Sequence, residues 1–116
     1  MHLDSYMATF HAQLSDVFGA LADPTRLAVV ERLVSGPASV SELAEPFDMA
    51  GPSFLKHLRV LEEAGLVTSD KAGRVRTVRL APDALGWVES WVRQHRRAWE
   101  RRLDDLGTFL KEDKQS

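Results

Sequence analysis

The spacing of apolar residues changes at Gly65, and this change restricts the folds that the chain can adopt. Before Gly65, apolar residues recur every three or four positions, which is typical of amphipathic helices. Between residues 66 and 80, two β-branched runs flank the polar segment 70–73, which predicts a hairpin with a charged tip. Helical spacing returns after Pro82. The expected order is therefore α-α-α-α-β-β-α, a mostly α fold with a small β-hairpin.

Local signals set the bounds of the first two predicted helices. Asp23-Pro24 begins the second helix, because aspartate caps a helix N-terminus and proline is preset to helical φ. A Ser-Gly-Pro sequence at residues 35–37 ends it. The first helix is expected over residues 8–21. The apolar residues whose helical spacing predicts these two helices are Phe10, Leu14, Val17, Phe18, Leu21, Leu27, Val30, Leu33 and Val34.

Residues 39–64 are predicted to form a helix-turn-helix. Ser39 and Glu42 have the three-residue spacing of a capping box, which begins a short helix. After a tight turn, Pro52 lies in the first turn of a second helix that ends at Gly65. The apolar residues of this second helix, of which either Phe54 or Leu55 faces inward, are Phe54, Leu55, Leu58 and Leu61.

The hairpin at residues 66–80 directly follows the helix-turn-helix and is expected to be a wing. We therefore predict one winged helix-turn-helix domain over residues 1–116. The net charge of −2 is unevenly distributed, since residues 50–80 carry six basic side chains against three acidic ones, a local charge of +3. A local basic patch, rather than the net charge, is what contact with phosphates requires.

Two groups of side chains are candidates for contact with DNA. The N-terminal residues of a recognition helix reach base edges in the major groove, and cations at the tip of a wing hold phosphates. The candidates are Ser53, Lys56, His57 and Arg59 on the helix and Lys71, Arg74 and Arg76 on the wing. Arg79 is expected on the opposite strand face. The alternatives are a solvated helix face and an edge hairpin that its charges protect from aggregation.

The last helix, predicted over residues 83–110, is about 42 Å long at 1.5 Å per residue. A domain of this size does not cover such a length, so the apolar stripe of the helix is expected to be an interface. We expect a homodimer in which this helix pairs together with helix 8–21. The predicted contact residues are Phe10, Leu14, Trp91, Val92, His95, Trp99, Leu103 and Leu106. The alternative is that all three tryptophans pack within one subunit.

The residue types exclude several other functions. The chain has no cysteine, and its four histidines form no H-x-H or H-x-x-x-H pair, so we predict no metal site. The sequence contains no Ser/His/Asp spacing and no glycine-rich phosphate loop, so we predict no enzyme. Short apolar runs and an N-terminus without early basic residues favour a cytoplasmic protein, away from the membrane and without a cofactor.

Taken together, these segments resemble the ArsR family of bacterial winged-helix repressors over residues 18–82. The similarity lies in DPTR, SVSELA and KHLRVLEEAGLV, followed by a wing with Gly73-Arg74 at its tip. The resemblance implies a homodimer, joined by its first and last helices, that binds an imperfect palindrome at its own promoter. The residues that match the family's DNA-binding positions are Ser53, Lys56 and His57 in the recognition helix and Arg74 and Arg76 in the wing.

The chain departs from the family pattern at the metal sites. Family members often bind a metal or arsenic through the cysteines of an ELCVC-type motif, whereas residues 42–46 read ELAEP. A second family site uses Asp and His pairs on the last helix, where this chain offers only His95. The resemblance is therefore to a metal-free branch. Ala50 replaces a common capping serine, and Leu55 replaces a commonly polar residue.

Two other functions are compatible with this fold. A small-molecule- or metal-responsive sensor would bind an effector, as yet unidentified, in a pocket at the dimer seam near Trp87, Trp91 or His95. A winged helix can also serve protein–protein contact alone, which the local charge of +3 disfavours. The residues favour the first interpretation, a repressor that binds double-stranded DNA.

Overall fold

The computed structural model describes the backbone of residues 2–115 and the side chains of residues 5–112. The elements in chain order are α1 (His2–Leu21), α2 (Pro24–Leu33), β1 (Ala38–Ser39), α3 (Val40–Ala44), α4 (Gly51–Glu63), β2 (Val67–Ala72), β3 (Val75–Leu80) and α5 (Gly86–Gln115). The chain divides into two compact units, one that ends at Leu85 and one that begins at Gly86. The first unit contains the helix-turn-helix (α3 and α4) and the wing (β2 and β3), and the second contains α5.

The core of the first unit forms where α1, α2 and α4 pack together and against the sheet. Phe54 and Leu61 of α4 are almost completely buried, as are Val29 of α2 and Val78 of β3. Burial of a side chain of this size contributes about 1.5–3 kcal/mol. Of the two residues that the sequence left open, Phe54 faces inward and Leu55 is exposed. The core therefore fixes which side of α4 meets solvent.

Two residues that the sequence predicted at a dimer interface lie in the core instead. Phe10 and Leu14 of α1 are only 3% and 5% exposed within a single chain, which leaves them almost no surface for a partner. Their assignment to the interface is wrong, because the apolar face of α1 is already used for packing inside one chain. The exposed large apolar residues of α1 are Tyr6, Met7 and Phe18.

Hydrogen bonds confirm the predicted starts of α2 and α3. Asp23 Oδ2 accepts a hydrogen bond from the amide of Arg26 at 3.1 Å, and a proline follows the cap. Ser39 Oγ accepts from the amide of Glu42 at 3.1 Å, and Glu42 Oε1 accepts from the amide of Ser39 at 3.4 Å. Each cap supplies an acceptor to amides at a helix start that have no partner within the helix.

The recognition helix α4 has an uncapped start and a closed end. Ala50 provides no side-chain hydrogen bond to the first turn, as the sequence predicted. At the other end, the amide of Leu66 donates to the carbonyl of Leu61 and the amide of Gly65 donates to the carbonyl of Glu62, each at 3.0 Å. This Schellman motif requires a left-handed residue, and Gly65 has a φ of 78°. The motif turns the chain from α4 into the wing.

The sheet has three antiparallel strands in the order β1-β3-β2. β2 and β3 form the predicted hairpin, in which Lys71 is directly opposite Arg76. The two-residue turn at the tip begins with Gly73, whose φ of 64° suits the first central position of a type II′ turn. β1, which pairs with β3, was not predicted, because a strand of two residues has no visible alternation.

Two helix boundaries also differ from the prediction. α1 begins at His2 rather than residue 8, because Tyr6 and Met7 continue the three- and four-residue apolar spacing of Phe10 and Leu14 towards the N-terminus. α5 runs from Gly86 to Gln115 rather than over residues 83–110. The amide of Ala84 donates to the carbonyl of Ala81 at 3.0 Å, so the chain makes a turn before α5 begins.

Candidate nucleic-acid interface

The N-terminal half of α4 presents an exposed polar face. Ser53, Lys56 and Arg59 are all exposed, in agreement with the sequence prediction. Lys56 and Arg59 are three residues apart and therefore lie on one side of the helix, away from the buried Phe54. Cations at this position in a helix-turn-helix are within reach of base edges and phosphates.

His57, the fourth residue predicted on this face, points elsewhere. Its ring is half-buried, and Nδ1 lies 3.1 Å from Nη1 of Arg26 and 3.7 Å from Oδ2 of Asp23. Since a guanidinium only donates, Nδ1 accepts this hydrogen bond from Arg26. His57 therefore links α4 to the start of α2, and the prediction that it faces solvent is wrong.

Arg26 connects three helices, a role that the sequence reasoning missed. Its Nε donates to the carbonyl of Ala20 at 2.7 Å and its Nη2 to the carbonyl of Gly19 at 3.4 Å, both at the end of α1. A cation in the first turn of a helix is disfavoured by the helix dipole. Arg26 lies in the first turn of α2. This electrostatically unfavourable position is the sequence feature that could have indicated a partner for Arg26 outside α2.

The carboxylate of Asp23 completes this connection. Its hydrogen bond from the amide of Arg26, together with the nearby positive charge of the Arg26 guanidinium, lowers the pKa of Asp23 below its ordinary value of 3.8. The carboxylate therefore stays ionised at neutral pH and serves two elements at once. It caps α2 and faces the imidazole on α4.

The wing separates its cations between two faces. Lys71 and Arg76 are cross-strand partners and share a face, and like charges directly opposite each other destabilise a hairpin. Arg79 lies on the other face, as predicted, where its Nη2 is 3.0 Å from Oδ2 of Asp70. Within residues 5–112, neither Lys71 nor Arg76 has an ion-pair partner. This uncompensated pair favours an anionic ligand.

An open cleft of about 430 Å³ brings α3, α4 and the wing together. Its lining residues are Ser39, Val40, Ser41, Leu55, Lys71, Arg74, Val75 and Arg76. Among the described residues, the three cations that line the cleft come from the wing, and no acidic residue lines it. The cleft therefore has a positively charged wall beside the recognition helix. Such a surface suits a nucleic acid, whose phosphates are negative and whose base edges differ with the sequence.

The comparisons with known proteins agree with this geometry. A helix-turn-helix domain family matches residues 21–70. The HTH-type transcriptional regulator Rv2034 of Mycobacterium tuberculosis is 42% identical over 91 residues, which are 78% of this chain and 82% of the relative. The solved ArsR family transcriptional regulator RHA00566 has a TM-score of 0.73 at 52% identity and covers 77% of this chain and 92% of its own. This chain belongs to the ArsR family.

The ArsR-family chain is a DNA-binding transcriptional regulator with a winged helix-turn-helix fold, and not an enzyme, as the sequence predicted. A third relative is the solution structure of Mb0332 from Mycobacterium bovis, described as a homodimeric winged helix-turn-helix DNA-binding domain. It has a TM-score of 0.62 at 25% identity and covers 78% of this chain and 89% of its own.

The family's metal sites do not fit the residues that this ArsR-family chain provides. At the position of the family's thiols, Leu43 is buried in the core and Glu45 is exposed, so α3 offers no set of converging donors. Among the described residues, no three His, Asp or Glu side chains are grouped to hold an ion.

In the part of the chain that the structure describes, no helix combines the length and the apolar character that a membrane span requires.

The last helix of the ArsR-family chain brings several predicted interface residues together. Trp91, Val92, His95 and Trp99 line an open groove of about 400 Å³ along α5. The His95 ring stacks on Trp91 with 4.6 Å between centroids, and its Nδ1 donates to the Trp91 carbonyl at 2.8 Å. That hydrogen bond fixes the tautomer and the orientation of the ring.

The exposed apolar residues of α5 continue beyond this groove. Trp99 is 70% exposed, and more than half of the surface of each of the following apolar residues is exposed as well. These residues are Leu103, Leu106, Phe109 and Leu110. An exposed row of this length is typical of a surface that another molecule covers.

Proposed function

We propose that this chain is a homodimeric repressor of its own operon that binds an imperfect palindrome in double-stranded DNA without a metal. It acts in the cytoplasm, at the nucleoid. The observation that carries this proposal is the cleft beside α4, whose positive wall is formed by Lys71, Arg74 and Arg76. Within residues 5–112 these three cations have no ion-pair partner, and cations grouped on one hairpin are suited to the phosphates of a DNA strand.

The recognition helix supplies the base-reading part of the proposal. Ser53 and Lys56 are exposed in the first two turns of α4, where a helix-turn-helix contacts base edges. A lysine recognises guanine through its O6 and N7 acceptors, and serine bonds to several bases. Arg59 lies one turn further along the helix and is suited to the backbone. Phe54, buried in the core, holds this face outward.

A second copy of the chain is the proposed partner of α5. The row of exposed apolar residues from Trp99 to Leu110 is long enough to form the seam of a helix pair. The relative Mb0332 is described as homodimeric. Two chains related by a two-fold axis place two recognition helices about 34 Å apart, one turn of DNA, which matches a palindrome.

The first test is binding to the DNA upstream of the gene for this chain. The purified protein is titrated into a labelled duplex of that DNA and into a scrambled duplex at two salt concentrations. We expect tighter binding to the native duplex and a steep loss of affinity with salt. Equal, weak binding to both duplexes would contradict the proposal of an autoregulatory repressor.

A small-molecule effector is a second candidate, favoured by the Trp-lined groove on α5. The stacked Trp91 and His95 rings form an apolar surface with one polar edge, which suits a flat aromatic ligand. The probe is 1-anilinonaphthalene-8-sulfonate, titrated into the protein with and without the native duplex. Fluorescence that is lost in Trp99→Ala, together with a changed duplex affinity, would support the candidate. A signal that leaves duplex affinity unchanged would count against it.

A further inference from the structure

Leu55 is an apolar side chain in a cationic cleft. It is 44% exposed, although Phe54, its neighbour in α4, is almost fully buried. A single exposed leucine is ordinary on a protein surface. Leu55, however, lines the cleft together with Val75 and Val40, so that the cleft has apolar lining residues as well as cationic ones. A cleft that binds only phosphates does not need these apolar residues.

The geometry of α4 places Leu55 between the major-groove face and the wing. Glu62, seven residues further along, lies on the same side of the helix and accepts a hydrogen bond from Ser69 of β2 at 2.6 Å. This side therefore faces the wing. Arg59 is four residues from Leu55, so this cation lies beside the leucine on the helix surface. The leucine is also within the first two turns of α4, where recognition residues lie.

A leucine has no donor or acceptor, so it can distinguish bases only through apolar contact. In the major groove, the apolar group of an unmodified base pair is the C5-methyl of thymine. A methylated cytosine carries the same group at the same carbon. We propose that Leu55 is a specificity-determining residue that packs on the 5-methyl group of one pyrimidine in each half-site. The inference rests on the proposed function, because it requires α4 to enter the major groove.

The test uses duplexes that wild-type protein selects from a random pool. In a selected duplex, each thymine is replaced in turn by deoxyuridine, which removes only the methyl group. We expect a loss of about four-fold in affinity at one position in each half-site, as burial of one methyl group predicts. In Leu55→Ala this sensitivity disappears at that position, whereas Leu55→Met retains it.

The source of the methyl group is determined by a second arm of the experiment. Cytosine and 5-methylcytosine are compared at the sensitive position. A gain on methylation that Leu55→Ala lacks extends the recognition to methylated cytosine, and the absence of that gain assigns it to thymine alone. Because Leu55 is exposed, its variants should melt close to wild type, as should Val34→Ala, a control at an exposed valine that ends α2.

The failure of this inference differs from the failure of the proposed function. If wild type selects a sequence but no deoxyuridine weakens binding, the inference alone is wrong. The same holds if sensitivity persists in Leu55→Ala, since another residue then contacts the methyl group. If wild type enriches no sequence from the pool at low salt, sequence-specific binding fails and the inference fails with it.

Discussion

The guanidinium of Arg26 lies 3.1 Å from Nδ1 of His57 and joins the first turn of α2 to the recognition helix. The same side chain bonds two carbonyls at the end of α1. One residue thus connects three helices around the start of α2. The orientation of α4 is determined by this polar connection as well as by its buried apolar face.

Replacement of Arg26 should destabilise the first unit. In Arg26→Ala the carbonyls of Ala20 and Gly19 and the ring of His57 lose their donor together, so we expect the free energy of unfolding to fall by about 1–3 kcal/mol. Urea unfolding followed by circular dichroism measures this change. Arg32→Ala is the matched control, because Arg32 is an exposed arginine of the same helix. Equal losses for both variants would contradict the special role of Arg26.

The stability of the chain should fall at acid pH through Asp23. Its pKa is lower in the folded chain than the ordinary 3.8, mainly because the carboxylate accepts the Arg26 amide. The stabilisation is therefore present above pH 3.8 and is lost as the pH falls through the lower, folded value. Asp23→Asn keeps a capping side chain without the charge. The difference in unfolding free energy between wild type and Asp23→Asn should vanish in that acid range. A difference that is constant down to pH 2 would contradict this prediction.

The caps and the wing were predictable from sequence because their interactions are local. Asp23, Ser39 and Glu42 bond to groups three residues away, and the hairpin follows from the β-branched runs on either side of residues 70–73. Such contacts depend on few positions, so sequence spacing is enough to predict them. The predicted placement of Arg79 opposite the other wing cations follows from strand alternation in the same way.

Tertiary partners were not predictable in this way. His57 and Arg26 are 31 residues apart. The helical pattern of α4 placed His57 on the exposed face and gave no sign of this partner. On α2 the buried residues are Val29 and Leu33, whereas Leu27 and the C-cap residue Val34, whose spacing helped to predict the helix, are exposed. A short helix with apolar residues on several sides fits more than one orientation. Only packing against α4 and β3 decides among them.

Lys56 and His57 should respond differently to substitution. Lys56→Ala should weaken binding to the specific duplex by about 1–3 kcal/mol per half-site and reduce the preference over a scrambled duplex. His57→Ala should instead lower the free energy of unfolding, because the ring bonds Arg26, and leave that preference unchanged. Fluorescence anisotropy with both duplexes and a urea titration separate the two effects. If His57→Ala alters the preference of the folded protein, then His57 reads a base.

The wing offers a matched pair of arginines. Arg76 has no ion-pair partner among the described residues and lies opposite Lys71, whereas Arg79 is paired with Asp70. Arg76→Ala should reduce the slope of log affinity against log salt by about one unit per subunit for every sequence. It should also stabilise the hairpin by a few tenths of a kcal/mol, because like charges are separated. Arg79→Ala should change the slope much less. Equal slopes for the two variants would show that the face of the wing with Arg76 contacts phosphates no more than the face with Arg79.

The apolar row of α5 should control the oligomeric state. Leu103 is 55% exposed, and Leu103→Asp would place a charge in the proposed seam, where a buried unpaired carboxylate is strongly unfavourable. We expect wild type to have the mass of two chains by light scattering at micromolar concentration, and Leu103→Asp to shift towards one chain. Arg101→Asp is the control, since it adds the same carboxylate two residues away, on the other side of α5.

Binding to a palindrome should follow the oligomeric state. A single chain reaches one half-site, so Leu103→Asp should bind a full palindrome little better than a half-site. Arg101→Asp should keep the higher affinity of a dimer that contacts both half-sites at once. Measuring both duplexes at one salt concentration separates a loss of dimerisation from a loss of DNA contact. If Leu103→Asp keeps the mass and the palindrome affinity of wild type, α5 does not form the seam. The exposed row from Trp99 to Leu110 would then have to bind a different partner.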